Sequence, residues 1–102
     1  MGTLSYFAVL REPGTGWDRG RPMRRQHGWD AHAAFMDALA EEGFVVLGGP
    51  LGPGETRFLI VVDAPDERAV RARLAEDPWE VSRRLRTAAV ERWEILLRHG
   101  AR

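Results

Sequence analysis

Apolar residues recur along this chain with two different periods, and the switches between them outline its elements. Residues 4–10 (LSYFAVL) form a short aromatic and aliphatic run that Arg11, Glu12, Pro13 and Gly14 interrupt, which predicts a first strand. From Trp29 to Glu42 the period changes: His32, Phe35, Met36 and Leu39 fall at i, i+3, i+4 and i+7, Asp30 suits the first turn, and Gly43 supplies a stop. FVVLGGPL (44–51) and TRFLIVVDA (56–64) flank a glycine and proline turn and predict a β-hairpin. Pro65, Asp66 and Glu67 open a second helix reaching about Glu76, with Ala69, Val70 and Leu74 as its inward stripe. Asp77-Pro78-Trp79-Glu80 starts a short helical turn, and Thr87 to Leu97 closes the chain's pattern as a last strand. Between the first strand and first helix, residues 12–28 are a polar loop rich in glycine, proline and arginine, long enough to suggest a functional role or poor order.

The order βαββαβ, with both helices on one side of an antiparallel sheet, predicts an α+β ferredoxin-like sandwich. At 102 residues the chain is the size of a single domain, 1–102. The hairpin strands add a further expectation. A sheet wet on one face alternates apolar and polar residues, yet Phe44 to Leu47 and Phe58 to Val62 are apolar at every position. Two helices cover one face, so the other is expected to pack on a second copy as a homodimer through the sheet face. The competing arrangement is a monomer whose outer face is covered by the long loop and the arginine-rich tail.

Fifteen acidic and fifteen basic residues cancel, without a basic stripe interleaved with aromatics, so nucleic acid is not an expected partner. All the basic residues are arginine, which excludes lysine Schiff-base chemistry on this chain. The absence of cysteine excludes thiol nucleophiles and thiolate metal sites. The opening residues lack a basic region before their apolar run, and no stretch approaches a membrane span; a soluble cytoplasmic protein is expected. His27 and His32 are poorly spaced for one helical face and His99 lies in the tail, so no metal set is expected. Neither phosphate-loop pattern occurs, the double glycine 48–49 reads as turn chemistry, and no cofactor is expected.

The candidate chemistry centres on His32, an imidazole near a helix start beside a sheet and suited to carrying protons near neutral pH. The competing role is that of a packing residue on an apolar helix face. Asp77 reads first as an N-cap, with Pro78 at the first helical position and Glu80 completing a capping box. One carboxylate oxygen can cap while the other faces a pocket. Asp30 is two residues from His32, too close in sequence to face it on a helix. Arg11 is a candidate donor to a substrate anion, or simply a partner for a surface acid. Trp17 and Trp29 bracket the long loop and can line a pocket or anchor the loop, and Tyr6 is a candidate donor into the same cleft or a core residue.

Together these segments resemble the YCII-related (YciI-like) family of the dimeric α/β-barrel superfamily, over nearly the whole chain. The resemblance rests on His32 with Phe35 and Leu39 in the first helix, on Gly49-Pro50 closing the next strand, and on Asp77-Pro78-Trp79 after the second helix. Trp93 in VERWEILL resembles the family's last-strand aromatic. The resemblance implies His32 and Asp77 as a catalytic pair acting on a small molecule without a cofactor. The implied chemistry is proton transfer, as in an isomerase, lyase or dehydrochlorinase, on a small cyclic or enolisable substrate. The alternative is a non-catalytic ligand-binding or accessory module of the same fold. The chain departs from the family where Ser82-Arg83-Arg84 replaces a glycine that often follows the Asp-Pro pair, which implies a different path leaving Asp77.

Overall fold

Strand and helix alternate in the order the periodicity predicts, in a computed structural model that describes residues 5–100. The expected strand start at Leu4 lies outside the described residues. Strand β1 (Tyr6–Pro13) leads through the long connection to helix α1 (Trp29–Glu41). Then come β2 (Val45–Pro50), β3 (Phe58–Asp63), α2 (Glu67–Leu74), the single-turn helix α3 (Pro78–Val81) and β4 (Leu85–Trp93). The strands form one antiparallel sheet in the order β2-β3-β1-β4. β3 therefore slots between β1 and β2, and the architecture is the ferredoxin-like α+β sandwich.

Period-two patterning decides which side of β1 meets the helices. Phe7, Val9 and Arg11 are buried while Tyr6, Ala8 and Leu10 between them are half-buried. Phe7 and Val9 join Ile60 and Val62 of β3, Leu39 of α1, and Val70 and Leu74 of α2 in the main core. Each such side chain contributes about 1.5–3 kcal/mol when fully removed from water. A second cluster, Phe58, Trp79 and Leu85, packs with Trp17, Met23 and Trp29 at the end of the sheet where β1 finishes. The position of Arg11 beyond the main core marks the seam between the two clusters.

On the outer face, the unbroken apolar runs are an imperfect guide. Val61 is 2 % exposed, but Leu47 is 61 % exposed and Trp93 45 %. The β2–β3 register shifts between Val45 and Leu47, so a bulge rather than simple alternation sets which way these residues face.

Several boundaries also move. β4 begins at Leu85, paired with Pro13, and stops at Trp93 instead of reaching Leu97. Its start is masked in the sequence by flanking arginines. Gly48 and Gly49 lie inside β2, and the hairpin turn falls at residues 52–55, where Gly52, Gly54 and Glu55 take positive φ. The connection after β1 is ordered. Gly14 and Gly16 donate to the Arg84 and Arg83 carbonyls, and buried Gln26 ties its amide to the backbone of Asp18 and Arg21. A 3-10 turn at Met23–Arg25 brings the chain into α1.

Candidate active site

A cavity of about 330 Å³ opens between α1 and the inner face of β2 and β3. α1 contributes Trp29, His32, Met36 and Ala40, spaced so that they form one stripe, with Asp37 on its flank. β2 supplies backbone and small side chains from Val45 to Pro50, and Phe58, Trp79 and Leu85 close the inner end. The volume suits one small ring-shaped molecule.

His32 is fixed from two directions. Its Nδ1 lies 3.0 Å from Asp77 Oδ1 and 2.9 Å from Oδ2. Its ring stacks on the Trp79 indole with centroids 4.0 Å apart and planes 7° from parallel. The residue is 8 % exposed and lines the cavity, and its Nε2 has no hydrogen-bond partner among the described residues. With Nδ1 facing a carboxylate, the neutral ring carries its hydrogen there and leaves the Nε2 lone pair free.

Asp77 is fully buried: it caps α3 and holds His32, but its second oxygen meets the imidazole and Arg11 and does not face the cavity. Oδ1 accepts the Trp79 amide at 2.8 Å, capping α3, while the carboxylate also holds His32. Oδ2 forms an ion pair with Arg11 NH2 at 2.9 Å. Burial alone would push this carboxyl up. The hydrogen bond from His32, the Arg11 and His32 charges and the Trp79 amide outweigh it and hold Asp77 below the usual carboxylate value. The expected capping box is only half formed: Glu80 does not turn back to the Asp77 amide, which bonds the Leu74 carbonyl instead. Glu80 accepts from Arg11 NH2 at 3.0 Å and from the Thr87 hydroxyl.

Arg11 is thus neither a surface ion pair nor a free anion receptor. It is 2 % exposed, its NH2 serves both Asp77 and Glu80, its NH1 points to the Met36 sulfur at 3.8 Å, and its Nε has no partner among the described residues. A register shift between β1 and β4 beside Arg11 skips Ala88 and places Thr87 opposite Arg11. That bulge turns Thr87 to the inner face, where it reaches Glu80.

Trp29 lines the cavity 5.8 Å from the His32 ring, whereas Trp17 stands behind the wall, edge-on to Trp79 at 5.7 Å and packed on Phe58 at 6.0 Å. Tyr6 is not brought to the cavity: one residue out of phase with Phe7, it sits on the outer side of β1 with Arg98 over its ring. Trp79 Nε1 donates to the His27 carbonyl at 2.9 Å. Gly28 makes that approach possible, since its φ is +80° and a Cβ there would stand 3.3 Å from Trp79 Nε1. The Ser82-Arg83-Arg84 departure does not pull Asp77 away from His32. Arg83 itself adopts φ 62°, the left-handed geometry a glycine would take freely, at a cost of about 1 kcal/mol.

Sequence reasoning missed Glu80 as an Arg11 partner, Thr87 behind it, Gln26 as the loop's anchor, and the stacking of Trp79 on His32. Trp79 was marked by its motif, and Glu80 by its place after Asp77. Nothing local distinguishes Thr87. Among the described residues no group of three His, Asp or Glu side chains is placed to hold a metal ion, and no helix is long and apolar enough to cross a membrane.

No family model and no curated protein matches this chain. Its fold has a counterpart among solved structures. The chain is similar to 5-chloro-2-hydroxyhydroquinone dehydrochlorinase (TftG) from Burkholderia phenoliruptrix AC1100, determined in complex with 2,5-dihydroxybenzoquinone. The TM-score is 0.56 at 26 % identity, over 87 % of this chain and 93 % of that one. The likeness supports the ferredoxin-like sandwich and relates it to an enzyme that binds a small quinoid ring.

Proposed function

We propose that this chain is a small cofactor-independent enzyme of the YCII-related family, a single domain over residues 1–102, with His32 as general acid and base and Asp77 as the group that orients it. The observation that carries the reading is the imidazole clamped through Nδ1 by a buried carboxylate, at the wall of a cavity large enough for a ring. The similarity to a dehydrochlorinase supports the same chemistry class.

In this mechanism Nε2 takes the proton of a hydroxyl on a bound ring or enol. The oxygen's electron pair forms a carbonyl, and the imidazolium returns its proton to a neighbouring carbon. On a chlorinated hydroquinone, loss of the second hydroxyl proton together with chloride completes a net loss of HCl, with no electron acceptor required. Asp77 holds the reactive tautomer and balances the ring's positive charge, while Arg11 and Glu80 hold Asp77 in place. Such positioned proton transfer is worth about 10²–10⁴-fold. Trp29 and Trp79 provide flat apolar walls for the ring. The chain acts in the cytoplasm as a homodimer through the outer sheet face, where Leu47 and Trp93 offer exposed apolar surface and Leu96 and Leu97, in the segment after β4, add more.

The test is turnover of a panel of lactones, catechols and chlorinated hydroquinones by the native chain and by His32→Ala and Asp77→Asn variants of matched stability. Ring binding without any turnover that depends on either residue would leave the ligand-binding module as the correct description.

A further inference from the structure

We infer that the cavity selects uncharged planar rings and discriminates against ring carboxylates, with Asp37 as the residue that sets this preference at its mouth. The inference rests on the site proposed above and adds its substrate class. Among the described residues lining the cavity Arg11 is the one arginine, and its guanidinium is already shared by two carboxylates, Asp77 at 2.9 Å and Glu80 at 3.0 Å. A third carboxylate, Asp37, lines the cavity from α1. The charge around the cavity is therefore negative whether the imidazole is neutral or protonated. Arg24 lies over the Trp29 ring, 5.5 Å from its centroid, but it is exposed and outside the lining, where water and salt screen it.

An anionic ligand entering this space would lose hydration and find only a guanidinium whose charge Asp77 and Glu80 already match, with one N–H, at Nε, left unpartnered. A neutral ring meets the opposite situation. Trp29, Met36, Phe58, Ile60 and Trp79 provide apolar contact, and the His32 Nε2 accepts one hydroxyl proton. Asp37 is exposed and one position off the stripe of His32, Met36 and Ala40, so its replacement leaves the buried network untouched.

The experiment compares equilibrium binding of methyl 2,5-dihydroxybenzoate with that of 2,5-dihydroxybenzoate, two rings of like shape that differ in one negative charge at neutral pH. Tryptophan fluorescence or calorimetry reads the binding to the native chain and to Asp37→Asn and Asp37→Arg. The expected result is that the ester binds at least about tenfold tighter than the acid, and that Asp37→Arg shrinks this ratio severalfold while Asp37→Asn falls between. Equal or tighter binding of the acid by the native chain overturns the inference without touching the proton-transfer reading. An undiminished ratio in Asp37→Arg overturns the assignment to Asp37. Binding of neither ring overturns the inference together with the site on which it rests.

Discussion

The imidazole of His32 lies flat against the indole of Trp79, with ring centroids 4.0 Å apart and planes 7° from parallel. Two residues after Asp77 in the chain, Trp79 therefore supports the ring from one face while Asp77 grips its edge. The DPW segment acts as one unit: its aspartate caps the turn that its proline begins, and its tryptophan supplies the backbone N–H that the cap receives.

Trp79→Ala should cost about 3–5 kcal/mol, because the side chain is 1 % exposed and fills the second cluster between Trp17, Trp29 and Phe58. Trp79→Phe keeps a stacking face and loses the bond to the His27 carbonyl, which should cost much less from that bond, about 1 kcal/mol. Urea unfolding of both variants measures the difference. Equal losses would show that the stack and packing matter less than the indole N–H.

Acid should weaken the fold through Asp77. Its carboxyl is held below its ordinary value, so the unfolded chain binds its proton first, and stability rises with pH across that interval. The contribution is fully present above the unfolded carboxylate value of about 3.9 and is lost as pH falls through the lower folded value. In Asp77→Asn this part of the acid limb should be missing. Denaturation midpoints followed from neutral pH into that range check it, and parallel acid limbs for the two proteins would contradict it.

Gly48 and Gly49 should respond differently to the same change. A Cβ at Gly48 would come 2.4 Å from Ile60 Cγ2, so Gly48→Ala should destabilise by about 1–3 kcal/mol. At Gly49 nothing lies within 4 Å, so Gly49→Ala should leave stability within about 0.5 kcal/mol. Both glycines line the cavity, so any effect of Gly49→Ala should appear in ligand affinity instead. Thermal melts and ring-binding titrations on the pair separate the two effects.

Much of this fold is readable in the sequence because its periods are clean. The α1 stripe of His32, Phe35, Met36 and Leu39 depends on local spacing and falls where the structure has it, and the apolar run of β1 marks the strand but not its phase. The early start of β4 was hidden because Arg83, Arg84 and Arg86 surround Leu85, whose burial comes from pairing with Pro13 and packing on Phe58 and Trp79. Bulges were equally invisible: the shifts beside Val45 and Arg11 depend on partner strands distant in sequence. For the site, the motifs marked His32 and Asp77, and the structure places them in contact. The partners of Arg11 differ from those the sequence suggests, because a strand-end arginine gives no sign of a buried aspartate and a half-buried glutamate arriving from α3 and its N-cap. Tyr6 departs from its expected place for a simpler reason, since one step of strand phase separates the cavity side from the outer face.

The central claim is tested most directly by the rate of chloride release from a chlorinated hydroquinone, as kcat/KM, for the native chain, His32→Gln and Asp77→Asn at matched folded fractions. The account predicts a loss of about 10²-fold or more for His32→Gln and a smaller but clear loss for Asp77→Asn, with ring binding retained in both. Native-level chloride release from His32→Gln would contradict it.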